Sequence, residues 1–298
     1  MTNNAQRPFG RLLTAMVTPF GADGAVDADG AARLAAYLVD EQRNDALVVN
    51  GTTGESPTTT DAEKEAVIRA VVEAVGDRAQ VVAGVGTFST HHTVELARSA
   101  EKAGAHGLLV VSPYYNKPPQ AGLVKHFTMV ADAVDLPVLL YDIPHRTGVA
   151  ISTETMVNLA GHPRIVGVKD AKGDLAAASW VMRRAEFAYY SGDDAATLPL
   201  LSIGGVGVVG TSTHFTGAAT KDLIEAYGRG DVTEARRLHL ALLPLYTGIF
   251  RTQGTILVKA GLAARGLPAG SVRPPLVDAT EAELAQLRID CADAGLPL

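Results

Sequence analysis

The chain has 298 residues, of which 47% are hydrophobic and 19% charged, enough to bury one large core. Its formal net charge of −6 argues against nucleic acid as the main partner, because phosphate neutralisation needs clustered Lys and Arg. The single cysteine, Cys291, excludes an intrachain disulfide framework.

The N-terminal stretch, residues 1–10, is polar and lacks the apolar centre of a signal peptide. No apolar run approaches the ~20 residues that span a bilayer. The expectation is a cytoplasmic protein with no membrane partner. Along the chain, short apolar and β-branched runs recur at 12–17, 46–49, 80–85, 107–111, 137–143, 165–169, 187–190 and 205–209. Each suits a strand buried on both faces. Between them, helical periodicity marks 31–39, 62–75, 93–103, 123–134, 155–160, 175–185, 195–203 and 218–228. Asp61 and Ser152 or Thr153 are candidate N-caps. Eight strand–helix units predict an α/β fold with a parallel sheet, and eight is the number that closes a (β/α)₈ TIM barrel. Residues 1–232 are expected to form the barrel and 233–298 a C-terminal extension of further helices. An open doubly wound sheet fits the periodicity as well.

A barrel of this type carries its chemistry where strands end and loops begin. Strand six runs apolar through Ile165-Val166-Gly167-Val168 straight into Lys169. A lysine carried into the core this way loses charge stabilisation, and its neutral amine is a nucleophile toward carbonyls. The competing reading is a lysine that reaches out to water at the strand end. Lys172, in a Lys-Gly-Asp loop, reads as an ordinary surface lysine. Tyr141 ends the neighbouring strand, close enough for a phenol to move protons beside Lys169, or to serve only as a core tyrosine. Thr52 and Thr53 lie between Gly51 and Gly54, where hydroxyls and backbone N–H groups suit a carboxylate or a proton relay; a plain tight turn is the alternative. Arg146 has the geometry to grip a carboxylate, or is a surface arginine.

Two patterns are set aside. Gly205-Val206-Gly207-Val208-Val209-Gly210 matches G-x-G-x-x-G, but its glycines alternate within a strand instead of opening a helix, so no dinucleotide is expected. The eight histidines and one cysteine show no metal-ligand spacing. Asp193-Asp194 reads as a solvated turn, and Glu55, Asp170 and Asp193 lie on separate strand ends, so no acid–base pair is assigned.

Four segments, Gly51-Thr52-Thr53-Gly54-Glu55-Ser56, Pro113-Tyr114-Tyr115-Asn116-Lys117-Pro118, Leu140-Tyr141-Asp142-Ile143-Pro144-x-Arg146-Thr147-Gly148 and Gly167-Val168-Lys169-Asp170-Ala171, are similar to motifs of the dihydrodipicolinate synthase family. That family lies within the N-acetylneuraminate lyase superfamily. The likeness runs from about Leu12 to the C-terminus, with an actinobacterial flavour at 14–20 and 250–254. The resemblance implies a Schiff base between Lys169 and pyruvate. It implies a proton relay of Tyr141, Thr52 and Tyr115, with Tyr115 supplied by a neighbouring subunit of a homodimer or homotetramer. Thr53 would hold the pyruvate carboxylate, Arg146 the carboxylate of L-aspartate 4-semialdehyde, and Gly192 and Val209 would line the site through their backbones. The product would be 4-hydroxy-tetrahydrodipicolinate, on the route to diaminopimelate and lysine, with no cofactor and no metal.

Two departures bear on the second substrate: Gly210-Thr211-Ser212-Thr213-His214 follows Val209 where the family usually has serine and an apolar run, and His145 stands where a small residue is usual. Other readings are a sialic acid or 2-keto-3-deoxy-sugar-acid lyase using pyruvate in the same way, or a non-catalytic paralogue. Lysine-inhibited relatives build a pocket from polar, histidine and glutamate side chains. Here Ser56, Asp61, Lys64, Phe88 and His92 stand at those positions, which implies a weak response to lysine.

Overall fold

Alternate residues of each strand face two different apolar environments, which explains why the strands read as unbroken hydrophobic runs. On β5 (Val138–Asp142), Leu139 and Tyr141 point into the barrel interior, while Val138 and Leu140 point out toward the helices. Ala46 and Val48 against Leu47 and Val49 repeat the pattern on β2 (Ala46–Val49). The computed structural model describes residues 7–298; the first six positions of the polar N-terminal stretch and of the expected barrel segment lie outside the described residues.

The eight strands form a closed parallel barrel in chain order, with β1 (Leu12–Ala15) pairing to both β2 and β8 (Gly207–Gly210). The open-sheet alternative is thereby removed. The others are β3 (Gln80–Gly84), β4 (Gly107–Val111), β6 (Ile165–Asp170) and β7 (Ala188–Ser191). Their helices are α1 (Ala28–Asp40), α2 (Asp61–Val75), α3 (Thr90–Lys102), α4 (Gln120–Asp132), a single turn α5 (Pro144–Thr147), α6 (Thr153–Leu159), α7 (Leu175–Arg184), α8 (Thr197–Ser202) and α9 (Thr213–Gly228). The strand ends fall within a few residues of the sequence expectation. The cap of α2 differs: Thr60, not Asp61, accepts the N–H of Glu63, and Glu63 returns a bond from the Thr60 N–H at 2.8 Å. This reciprocal box satisfies two orphan donors at once, which Asp61 one residue later does not do. Ser152 caps α6.

β8 explains the glycine pattern. A side chain at Gly207 would strike the backbone carbonyl of Arg11, so that glycine serves close strand approach,. At the base of the barrel Phe9 enters the interior, and the Tyr190 hydroxyl donates to the Gly10 carbonyl at 2.9 Å. Beyond the barrel, α10 (Val232–Gly248), α11 (Gly254–Ala264) and α12 (Glu281–Asp293) share the core that lies between strands and helices, through Leu245, Leu257, Leu262 and Leu287. Among the described residues no helix is long and apolar enough to cross a membrane.

Candidate active site

Lys169 and Tyr141 are register partners across β6 and β5, both pointing into the barrel at its C-terminal end. The Lys169 Nζ lies 4.4 Å from the centre of the Tyr141 ring. Lys169 is 5% exposed, and this burial pulls its ammonium down to about 8, against the opposing pull of the Asp194 carboxylate and with help from Arg146,. At pH 7 roughly one amine in ten is then neutral, far more than for a lysine in water. Burial pushes the Tyr141 phenol the other way, to about 12, partly offset by the Arg146 charge and the Thr52 hydroxyl. The phenol therefore keeps its proton and is able to donate it.

These groups open onto a cavity of about 520 Å³ at the mouth of the barrel. Thr52, Thr53, Tyr141, Arg146, Lys169 and Gly192 all line it, so six of the eight expected site residues share one space. His145 and Arg146 come from the exposed single turn α5 and sit at the rim. Val209 does not line the cavity; it is buried in the barrel interior, paired with Leu13. Tyr115 does not line it either. It is 93% exposed and held at φ 74°, a left-handed conformation that a tyrosine rarely adopts,. Its neighbour Tyr114 lines a second, mostly apolar space of about 230 Å³ on the other side of Thr52 and Tyr141, packed edge-on against Phe88 with ring centres 5.6 Å apart.

The Thr52–Thr53 loop is held from the far end of the chain. The Thr255 hydroxyl donates to the Thr53 carbonyl at 3.0 Å. Glu55, also at positive φ, pairs with Lys259 of α11 at 2.7 Å, and both side chains are at most 3% exposed. The cavity wall includes Tyr246 from α10, Phe250 from the turn after it and Gln253 at the cap of α11. Sequence reasoning missed these residues. The one signal was the break at Arg251-Thr252-Gln253-Gly254, where the Gln253 side chain caps α11 by accepting from the Thr255 N–H at 2.7 Å.

Two sequence expectations are corrected. Asp193 is exposed, but Asp194 is 1% exposed and takes the Ser212 hydroxyl at 2.6 Å and the N–H groups of Thr211 and Ser212 at 3.1 and 3.2 Å. The pair is no solvated turn, because a buried carboxylate is stable only with donors around it. Lys172 is no ordinary surface lysine either. Its Nζ lies 3.3 Å from Asp142 Oδ2, where Asp142 is fully buried, and its N–H donates to Asp170 Oδ1 at 2.8 Å. Asp142 and Asp170 are also register partners. The outward faces of β5 and β6 thus carry two acids beside one lysine, directly behind the inward Tyr141–Lys169 pair.

Residues 8–293 match the Dihydrodipicolinate synthetase family. The chain belongs to that family. It is 69% identical to the 4-hydroxy-tetrahydrodipicolinate synthase of Acidothermus cellulolyticus over 97% of this chain and 93% of the relative. It is 61% identical to 4-hydroxy-tetrahydrodipicolinate synthase 2 of Streptomyces coelicolor over 100% and 99%. Among solved structures, the dihydrodipicolinate synthase of Cyanidioschyzon merolae, described with lysine bound, superposes with a TM-score of 0.94 at 44% identity, covering 97% of this chain and 99% of that one.

Proposed function

We infer that this protein is a 4-hydroxy-tetrahydrodipicolinate synthase, a Schiff-base lyase that condenses pyruvate with L-aspartate 4-semialdehyde on the route to diaminopimelate and lysine. The observation that carries the reading is a buried, partly neutral lysine amine stacked on a protonated phenol at the mouth of a closed barrel. The neutral Lys169 amine attacks the keto carbon of pyruvate. The carbinolamine loses water as Tyr141, relayed through Thr52 and Tyr115, donates a proton to the departing hydroxyl. The iminium acidifies the adjacent methyl group, and loss of a proton gives an enamine whose carbon attacks the aldehyde. The amino group of the semialdehyde then closes the ring onto the former keto carbon and releases Lys169. Thr53 holds the pyruvate carboxylate, Gly192 borders the keto acid, and Arg146 at the rim receives the second carboxylate,.

Tyr115 is outside its own cavity, so the relay requires it from a second copy of the chain. Its strained backbone and near-complete exposure support a homodimer, or a homotetramer of two such dimers, in which each subunit completes its partner's site. We assign this activity to the cytoplasm.

Borohydride reduction in the presence of pyruvate tests the reading. A stable pyruvate-derived mass is expected on Lys169, and an aldehyde panel is expected to give a cyclised product from L-aspartate 4-semialdehyde. An adduct on Lys172 or Lys259, or none, would overturn the mechanism. Turnover confined to sugar aldehydes would place the protein among the sugar-acid lyases instead.

A further inference from the structure

Thr211 stands in the segment that departs from the family pattern, and it opens onto the cavity beside Thr53. Its Oγ1 lies 3.5 Å from the Thr53 Oγ1, and among the described residues neither hydroxyl has another hydrogen-bond partner. That separation is long for a hydroxyl–hydroxyl bond. It is suitable for two donors converging on a third oxygen, each at about 2.8 Å. Everything else about Thr211 is fixed. Its N–H donates to Asp194 Oδ2 at 3.1 Å. Its carbonyl lies 2.8 Å from His214 Nδ1, and His214 Nε2 accepts the Val17 N–H at 3.2 Å. With Nε2 accepting, the proton of the neutral ring sits on Nδ1 and is donated to Thr211. Burial holds His214 down at about 4, so this arrangement persists at neutral pH,. On the opposite side, the Thr53 carbonyl is pinned by Thr255. Two hydroxyls on two rigid backbones thus face the same space as Lys169.

We propose that Thr211 is a specificity-determining residue that joins Thr53 in holding one carboxylate oxygen of the keto acid bound at Lys169. The assignment rests on the keto-acid reading above. Asp194 is a positioning residue in this scheme. Its lone pairs are taken by Thr211 and Ser212, so the carboxylate fixes the loop without being aimed at the substrate.

The test is borohydride trapping at Lys169 as a function of ketone concentration, read by intact mass, for the full-length protein and three variants. Thr211→Val removes the hydroxyl at constant volume and is expected to raise half-saturation for pyruvate about tenfold, as for loss of a hydrogen bond to a charged group. Thr211→Ser, which keeps the hydroxyl, is expected to bring half-saturation back to within about threefold of the parent. Thr211→Ala adds no bulk and repeats the loss should valine prevent folding. Acetone, a ketone without a carboxylate, is the control: its trapping curve is expected to be the same for Val, Ala and parent. A pyruvate half-saturation unchanged in Val or Ala overturns the proposal. So does equal impairment with acetone, or serine behaving like valine. Absence of any Lys169 adduct in the parent protein would sink the keto-acid reading itself, whereas parent trapping with an unshifted variant sinks only the role of Thr211.

Discussion

The Lys169 amine sits over the Tyr141 ring at 4.4 Å, and strand register makes the two residues direct neighbours. The amine and the phenol are displaced in opposite directions by the same burial, down to about 8 and up to about 12. One becomes a nucleophile and the other a proton donor at the same pH.

The first prediction follows from the lysine. Its charged form is penalised in the folded state, so the penalty is fully present below about 8 and fades as pH rises toward 10.5, the ordinary value of a lysine amine,. Lys169→Met removes a penalty of the order of 3 kcal/mol at neutral pH. The expected result is no pyruvate trapping together with a higher melting temperature at pH 6.5, the gain shrinking by pH 10. In the parent protein the trapping rate is expected to climb through pH 7, reach half its maximum near pH 8 and level by about pH 9,. Equal melting temperatures at pH 6.5, or a trapping rate still rising steeply at pH 10, would show an ordinary lysine.

Arg146 lowers both the Lys169 amine and the Tyr141 phenol through its charge. Arg146→Ala is therefore expected to move the inflection of the trapping profile to higher pH while trapping persists. Its larger effect falls on the aldehyde: loss of a charged two-point contact costs a few kcal/mol, read as a KM for semialdehyde raised by one to two orders of magnitude. Unaltered semialdehyde kinetics would leave Arg146 as a surface residue.

Subunit exchange tests Tyr115. Lys169→Ala and Tyr115→Phe chains are each expected to be nearly inactive. If the tyrosine serves the partner's site, mixing them equally restores up to about a quarter of parent activity, because half the dimers are hybrids and each hybrid holds one intact site. Mixing without recovery, where mass measurement shows that hybrids have formed, would place the tyrosine outside the relay.

Lysine is expected to inhibit weakly. Asp61 is not free to receive its ammonium, being engaged by His92 at 2.9 Å. Phe88 packs edge-on against Tyr114, and the buried Lys64 amine donates to the Thr59 carbonyl and adds a like charge nearby,. A lysine titration at sub-saturating pyruvate checks this. Saturable inhibition below about a millimolar, a scale of roughly −4 kcal/mol, would mean that the pocket survives in another form.

The barrel was legible because strands buried on both faces announce themselves as short apolar runs, and Lys169 because a charge that interrupts such a run is out of place. The single turn α5 was not legible, since four residues carry no periodicity, although it bears His145 and Arg146. Asp194 and Lys172 looked solvated because their partners, Ser212 and Asp142, are distant in sequence and met only when the barrel closed. Tyr246, Phe250 and Gln253 reach the cavity through helix packing that no local pattern encodes.

The bond from Thr255 to Thr53 joins positions 202 apart, and the Glu55–Lys259 pair ties the same loop to the same late helix. A ribosome delivers all eight strands before it delivers either partner. A nascent chain ending after α9 would carry a Glu55 carboxylate without the Lys259 cation beside it. The Thr52–Thr53 loop is therefore tied down from both sides only once α11 has been made. Cutting the chain after α9 is expected to release this loop from both anchors.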